Sequence, residues 1–283
     1  MQDLSIIIHL RFRQFIPLQD SSSSKTSFTS IIESLGHGFI RRTEALGDFV
    51  ILFAQMLLAT CRPPYRFRQL LLSMEFVGYG SLFIILLTGF FTGAILAYQC
   101  NYAFGLFGAE SLTGATVALA VCREMGPVLA AIMVAGRASS GMATVIGTMR
   151  VTEQIDAMKT MAVDPVQYLI VPRVWATVLM LPVLCAVFDF VAIVASYLVG
   201  IGLSDVDFGA FDAMIDSLLT PFDVVGGCIK AAVFGLIVSF IGCYKGFYAS
   251  GGAKGVGEAT TDAVVYASVT ILILDYFLTM IIW

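Results

Sequence analysis

Ionisable side chains buried in apolar sequence are where chemistry would be expected in this chain. Arg123 and Glu124 interrupt an apolar run that begins at Ser111 and resumes at Val128, and Asp189, Lys230 and Asp275 lie within three other apolar runs. A charge at the centre of a bilayer costs about 3 kcal/mol or more, so such residues face partners or a polar path. Two intramembrane aspartates, here Asp189 and Asp275, could share a proton as protease carboxylates do, but neither stands in a GxGD setting. Ser139 and Ser140 lack a base, because the only histidines, His9 and His37, lie near the N-terminus. The six cysteines (61, 100, 122, 185, 228 and 243) form no CxxC pair, which argues against a disulfide framework or a zinc site. No GxxxxGK[ST] stretch is present, so an ATP-driven role needs a second protein. The expectation is a non-catalytic chain with no metal and no cofactor.

Each charge also has a purely structural reading. Arg123 and Glu124 point about 100° apart on one helix and so should find separate partners. Asp189 and Asp275 could accept helix–helix hydrogen bonds or pair with Arg123, since buried charges need partners. Lys230 could snorkel to water from the outer end of its run, or meet a lipid phosphate. Intramembrane carboxylates can also relay protons in a self-contained, proton-coupled secondary transporter. That alternative finds no support in paired, repeated halves.

The elements that must hold these residues follow from composition. Of 283 residues, 58% are hydrophobic and 13% charged. Soluble domains carry about 25% charged residues, so the chain reads as an all-α integral membrane protein. Five spans are expected, near residues 76–98, 112–136, 174–202, 224–244 and 263–283. The first contains Gly89-Phe90-Phe91-Thr92-Gly93, a spacing that permits close helix approach. Before them, residues 31–60 carry apolar positions at helical spacing with Arg41, Arg42, Glu44 and Asp48 between, and Pro63-Pro64 follows. This suits an N-terminal interfacial amphipathic helix, although a packed soluble helix would have the same pattern. Residues 1–30, with the run Ser21-Ser22-Ser23-Ser24-Lys25, read as a flexible extension.

Charge placement gives orientation. Of 16 Lys and Arg, eight precede the first span, four lie from Arg137 to Arg173, and Lys245 and Lys254 separate the last two spans. Residues 99–111 and 203–223 hold none, and the latter carries five aspartates. The positive-inside rule therefore puts the N-terminus and residues 137–173 in the cytoplasm and the C-terminus outside. Within that cytoplasmic segment, Val151, Ile155, Met158 and Ala162 share one face of a helix expected over residues 150–162. Asp164-Pro165 offers a cap and a first-turn proline for a further short helix. An amphipathic helix between two spans suits transmission of force from a soluble partner; an inert connector would look the same.

Several fixed-spacing motifs then carry a family resemblance. They are Arg123-Glu124-Met125-Gly126-Pro127, Ala135-Gly136-Arg137, the stretch Gly147-Thr148-Met149-Arg150-Val151-Thr152-Glu153-Gln154-Ile155-Asp156-Ala157-Met158, Val163-Asp164-Pro165 and Val171-Pro172-Arg173. Gly251-Gly252-Ala253, Gly255-Val256-Gly257 and Leu274-Asp275-Tyr276-Phe277-Leu278-Thr279 follow in order. Residues 31–283 thereby resemble the MlaE (YrbE-type) permeases, membrane subunits of bacterial ABC systems that move phospholipid with MCE-domain proteins. The resemblance implies a multi-pass inner-membrane homodimer with a cytoplasmic ABC ATPase (MlaF-like) and a periplasmic MCE-domain partner (MlaD-like). Nucleic acid is not an implied partner. Phospholipid would pass between the inner membrane and the periplasmic carrier, maintaining outer-membrane lipid asymmetry. Leu96, Tyr98, Gln99, Ala103 and Phe107 would line the lipid path, with Arg123 and Glu124 below them. Arg150, Thr152, Glu153, Gln154, Asp156 and Met158 would belong to the coupling helix that meets the ATPase. Val145 and Asp262 depart from the family pattern, standing where relatives often carry Glu and Arg; the first leaves no acid there and the second weakens a basic cytoplasmic contact.

Overall fold

Apolar chain in a bilayer has no water to satisfy its backbone, so every span must close its hydrogen bonds internally, as a helix does. The computed structural model describes residues 27–63, 66–202 and 206–283, and among these residues there is no strand. The helices are α1 (Ser27–Thr60), α2 (Phe67–Gly105), α3 (Glu110–Val151), α4 (Gln154–Thr160), α5 (Val166–Gly202), α6 (Phe208–Leu218), α7 (Pro221–Phe247) and α8 (Gly252–Ile282). Five of these, α2, α3, α5, α7 and α8, are long and apolar enough to cross a membrane, and α1 ends in a shorter apolar stretch, Leu46–Thr60. The expected all-helical membrane architecture is therefore present. The extension expected over residues 1–30 lies, up to residue 26, outside the described residues. By internal packing the chain forms two units, Met1–Asp48 and Phe49–Trp283.

Each span is longer than its sequence-based range. Helix α2 has 39 residues, and at about 1.5 Å per residue such a helix is nearly twice as long as a ~30 Å hydrocarbon core. Residues 99–105, beyond the expected end of the first span, are therefore helix. The chain turns only at residues 106–109, where Gly108 adopts a positive φ of 66°. Helix α7 starts sharply, because Thr220 and Asp223 form a reciprocal capping box around Pro221. Gly251 and Gly252, at φ 92° and 69°, make the turn into α8 that a side chain would resist.

The core lies among α3, α5 and α7, whose inward faces hold most of the fully buried side chains. Helices α2 and α5 make the most extensive helix pair. The glycine pair expected to permit close approach does so here. A Cβ on Gly93 would collide with the Ala192 backbone, and one on Gly89 would sit 3.1 Å from the Phe188 carbonyl oxygen. The outward faces of α2 and α8 stay apolar and exposed, with Phe83, Phe91, Tyr276, Phe277 and Ile281 among them, as lipid contact requires.

One helix goes beyond the expectations and one expectation needs correction. The acidic segment after α5, for which the sequence suggested only its charge, forms α6, capped by Asp207, whose carboxylate accepts from Ala210 N at 3.0 Å. Phe211 and Ile215 are buried on its inner face with Ala118 of α3. The cytoplasmic helix expected over residues 150–162 is also interrupted. Helix α3 continues to Val151, Glu153 then takes a left-handed conformation (φ 60°), and α4 covers only Gln154–Thr160. Val151 and Ala162 are thus not on one continuous face with Ile155 and Met158. The Asp164 cap is present, its Oδ1 accepting from Val166 N at 2.9 Å, but the helix it starts runs directly into span α5.

Candidate functional site

Helix α7 delivers the centre of the site. A Cβ on Gly227 would strike the Cys122 carbonyl, so only glycine lets α7 lie this close to α3. One turn later Lys230, fully buried, reaches across to α3 and α8. Its Nζ donates toward Glu124 Oε2 (3.0 Å), Asp275 Oδ1 (3.1 Å), Thr279 Oγ1 (2.7 Å) and the Arg123 carbonyl oxygen (3.0 Å). The Thr279 hydroxyl, 3.1 Å from Glu124 Oε1, ties α8 to the same carboxylate. A solvated snorkelling lysine, one of the readings drawn from sequence, is therefore excluded.

A second pair sits beside the first. Arg123 Nε donates to Asp223 Oδ1 at 2.8 Å, and Trp283 Nε1 reaches the same oxygen at 3.2 Å. Asp223 Oδ2 accepts from both the backbone N–H and the hydroxyl of Thr220, each at 2.8 Å. The Trp283 ring lies under both cations, 5.4 Å from the Arg123 guanidinium carbon and 5.0 Å from Lys230 Nζ. Arg123 and Glu124 thus have separate partners, as their angular separation requires. Burial is uneven: Lys230 and Asp223 side chains are 0% and 1% exposed, whereas those of Arg123 and Glu124 are 39% and 40% exposed. The cluster is braced from inside and open along the Arg123–Glu124 edge. That edge rides on a π-helical turn, Val121–Met125, a local widening common at functional sites.

The two aspartates weighed as a proton-sharing pair have different surroundings. Asp275 belongs to the Lys230 cluster. Asp189 is buried beside Gly126, its Oδ2 accepting from Cys185 Sγ at 3.7 Å and its Oδ1 without a partner among the described residues. Neither pairs with Arg123. No group of His, Cys, Asp and Glu able to hold a metal occurs among the described residues.

The other expected lipid-path residues lie along the C-terminal end of α2 and the turn after it. Leu96 is half-buried against the core, whereas Tyr98, Gln99 and Ala103 are exposed and Phe107 is 84% exposed. Within one chain they form an open apolar surface and do not meet Arg123 or Glu124 in any hydrogen bond or ion pair.

The residues expected in the coupling helix gather at the α3–α4 hairpin. Arg150 NH1 donates to Asp156 Oδ1 at 2.8 Å, with Lys159 Nζ at 3.5 Å from the same oxygen. The slight burial of Asp156 raises its carboxyl pKa, but these two cations outweigh that and hold it below the ordinary value. Thr152 Oγ1 caps the Thr148 carbonyl at 2.8 Å and accepts from Gln154 Nε2 at 3.0 Å. Ile155 is fully buried and Met158 half-buried, anchoring α4. The exposed Glu153 side chain has no partner among the described residues. Asp262, the position departing from the family pattern, accepts from Lys245 at 2.8 Å.

Sequence reading missed Asp223, Thr279 and Trp283 as members of the cluster. The capping-box spacing of Thr220 and Asp223, and the four-residue spacing of Asp275 and Thr279 on α8, were the available signals.

Comparison with known proteins places these features in context. Residues 70–281 match the family model described as Permease MlaE. A probable ABC transporter permease protein of Rickettsia bellii is 42% identical over 250 residues, covering 88% of this chain and 96% of the relative. The intermembrane phospholipid transport system permease protein MlaE of Haemophilus influenzae is 38% identical over 253 residues, 89% of this chain and 97% of its own. The chloroplastic protein TRIGALACTOSYLDIACYLGLYCEROL 1 of Arabidopsis thaliana is 40% identical over 233 residues, 81% of this chain and 65% of the relative.

Proposed function

The chain belongs to the MlaE permease family, and on that premise we propose that it is the membrane subunit of an ATP-driven phospholipid transporter. Two copies form a lipid path at the outer end of α2. Lipid passes between the inner membrane and a periplasmic MCE-domain carrier, which maintains outer-membrane asymmetry. A separate cytoplasmic ATPase supplies the work. No bond in the lipid is made or broken, so the chain needs positions and movements rather than catalytic groups.

The observation that carries this reading is the half-open ionic cluster on spans α3, α7 and α8. Lys230 and Asp223 are locked inside, and Arg123 and Glu124 remain at an accessible edge. A charged edge within spanning helices suits the polar end of a lipid, and the apolar residues Leu96, Ala103 and Phe107 suit its tails. Tyr98 and Phe107 stand open on a single chain, as expected of a surface that a second copy encloses. Force from the ATPase would enter at residues 150–158, where α3 ends in the hairpin. The same helix carries Arg123 and Glu124, so movement of the hairpin displaces the cluster's open edge.

Photo-reactive residues at 96, 103 and 107 in the assembled complex test the lipid path. Each should crosslink to phospholipid more than one at Phe83, a bilayer-facing position on the same helix. Equal labelling would overturn the cavity assignment. In proteoliposomes, lipid movement should require ATP and the ATPase subunit; movement driven by a proton gradient alone would favour the secondary-transporter alternative. Orientation is checked in a cysteine-free background. Asp207→Cys should react with an impermeant thiol reagent outside intact cells, and Lys254→Cys should not; the reverse would invert the topology and remove the hairpin from the ATPase side.

A further inference from the structure

A cavity of about 230 Å³ opens at the end of the bundle that carries the basic residues, away from the ionic cluster. Its walls are apolar: Ala59 from the end of α1, Leu70 from α2, and Val171, Pro172 and Trp175 from α5. Arg62 and Arg66 stand at its edge, and neither has a carboxylate partner among the described residues. The walls are fixed by polar contacts. Trp175 Nε1 donates to Thr60 Oγ1 at 3.2 Å, Gln167 Nε2 donates to the Arg62 carbonyl at 2.7 Å, and the Arg66 guanidinium lies 4.4 Å from the centre of the Tyr168 ring. Exposed Phe67 also lines the cavity, and Leu58 and Leu71, next in sequence to the lining residues Ala59 and Leu70, are exposed.

From this geometry we infer that the cavity is a binding site for one anionic phospholipid, held by Arg62 and Arg66 and retained rather than transported. Arg62 and Arg66 are exposed beside the apolar walls and offer two guanidiniums to an anion, and Arg is suited to phosphate through its forked donors. The apolar walls and flanking side chains demand hydrocarbon beside that anion, which a free phosphate lacks. The cavity is below the ~300 Å³ at which small-molecule pockets usually begin. It therefore takes the glycerol region and the start of one chain, leaving the tails along the exposed faces of α1 and α2. Trp175, exposed at the cavity, is of the residue type enriched where helices meet the headgroup region. A lipid so placed bridges the α1 end to α2 and α5, where Trp175 and Gln167 of α5 already hold Thr60 and Arg62 by hydrogen bonds.

The test uses the full chain in nanodiscs of equal phosphatidylglycerol and phosphatidylethanolamine, with retained lipids read by native mass spectrometry. The intact chain should keep phosphatidylglycerol preferentially. Basic residues near an anionic surface contribute about 1 kcal/mol each, so R62Q/R66Q should lower that preference roughly fivefold per residue. Lys254→Gln, on an exposed lysine remote from the cavity, should leave it unchanged. Val171→Phe fills the cavity without altering charge and should also release the lipid. Transported lipid bound at the outer path would persist in all variants, so failure here is distinguishable from failure of the transport reading. Equal retention in R62Q/R66Q overturns the site. Retention in Val171→Phe with loss in R62Q/R66Q also overturns it, leaving only surface attraction. Full displacement by inorganic phosphate or glycerol 3-phosphate would mark an anion site and overturn the lipid assignment.

Discussion

Helix α3 carries charge at two places, and the two are built in opposite ways. At Arg123–Glu124 the charges lie within a span, and α7 and α8 supply a carboxylate, a lysine, a threonine and a tryptophan to satisfy them. At the α3–α4 hairpin the charges lie beyond the span, Arg150 and Asp156 pair locally, and Glu153 is left free in a left-handed conformation. The difference follows from solvent. Lipid offers an unpaired charge nothing, so the cluster must be complete in the chain itself. Water tolerates an unpaired carboxylate, so the hairpin can keep one for a partner that arrives later. A braced cluster suits holding, and an unsaturated hairpin suits the docking we propose for it.

The largest effect that would break this contrast is at Lys230. Lys230→Met leaves Glu124 and Asp275 facing one another with no cation, a loss of about 3–5 kcal/mol by the measure of broken buried pairs. Thermal unfolding of the purified chain should show it. Adding Glu124→Gln and Asp275→Asn should recover most of the loss, because the complete removal of a buried ion group is far milder than halving it. Absence of rescue would mean that Lys230 acts through packing alone.

Gly227→Ala should come next. Its Cβ has nowhere to go but the Cys122 backbone, and overpacking of this kind costs about 1–3 kcal/mol. The same unfolding measurement checks it, and crosslinking of α7 to α3 should weaken in parallel.

The hairpin pair should matter less. The Asp156 carboxyl is held below its ordinary pKa in the folded chain by Arg150 and Lys159. Its contribution is therefore fully present above the ordinary carboxylate value of about 4 and is lost as pH falls through the folded value. Asp156→Asn should loosen the amides of residues 153–160 to hydrogen exchange at neutral pH by a small amount, as exposed pairs do. Wild type and variant should converge in acid; a difference that persists there would assign the effect to the hydrogen bond instead of the charge.

How much of this was legible in the sequence follows the same division. The spans, the Gly89–Gly93 contact and the Asp164 cap are local, so hydropathy, spacing and residue type expose them. The partners of Arg123 and Glu124 are 100 and 106 residues away, and no local pattern joins Asp223 or Lys230 to them. Lys230 alone looked like a lysine reaching for water. The break at Glu153 escaped notice because apolar spacing continues through it, and only the backbone reveals the left-handed residue. Helix α6 was hidden by its aspartates, although Phe211 and Ile215 stand four apart. The proposed lipid path is legible least of all, since Tyr98, Gln99, Ala103 and Phe107 lie open on a single chain and no contact within it marks them.

Charge reversal at Glu153 isolates the docking half of the comparison. Reversing Asp156 as well would disturb the Arg150 pair, so the single Glu153→Lys change is the cleaner probe. The folded chain should keep its unfolding temperature, because Glu153 has no internal partner to lose. Association with the ATPase, and ATP hydrolysis stimulated by lipid, should both fall, by as much as the 2–5 kcal/mol typical when one member of a buried interfacial charge pair is lost. Measured together on the reconstituted complex, unchanged stability with weakened association and turnover is the predicted result. Unchanged association and turnover would contradict a path of force through the hairpin.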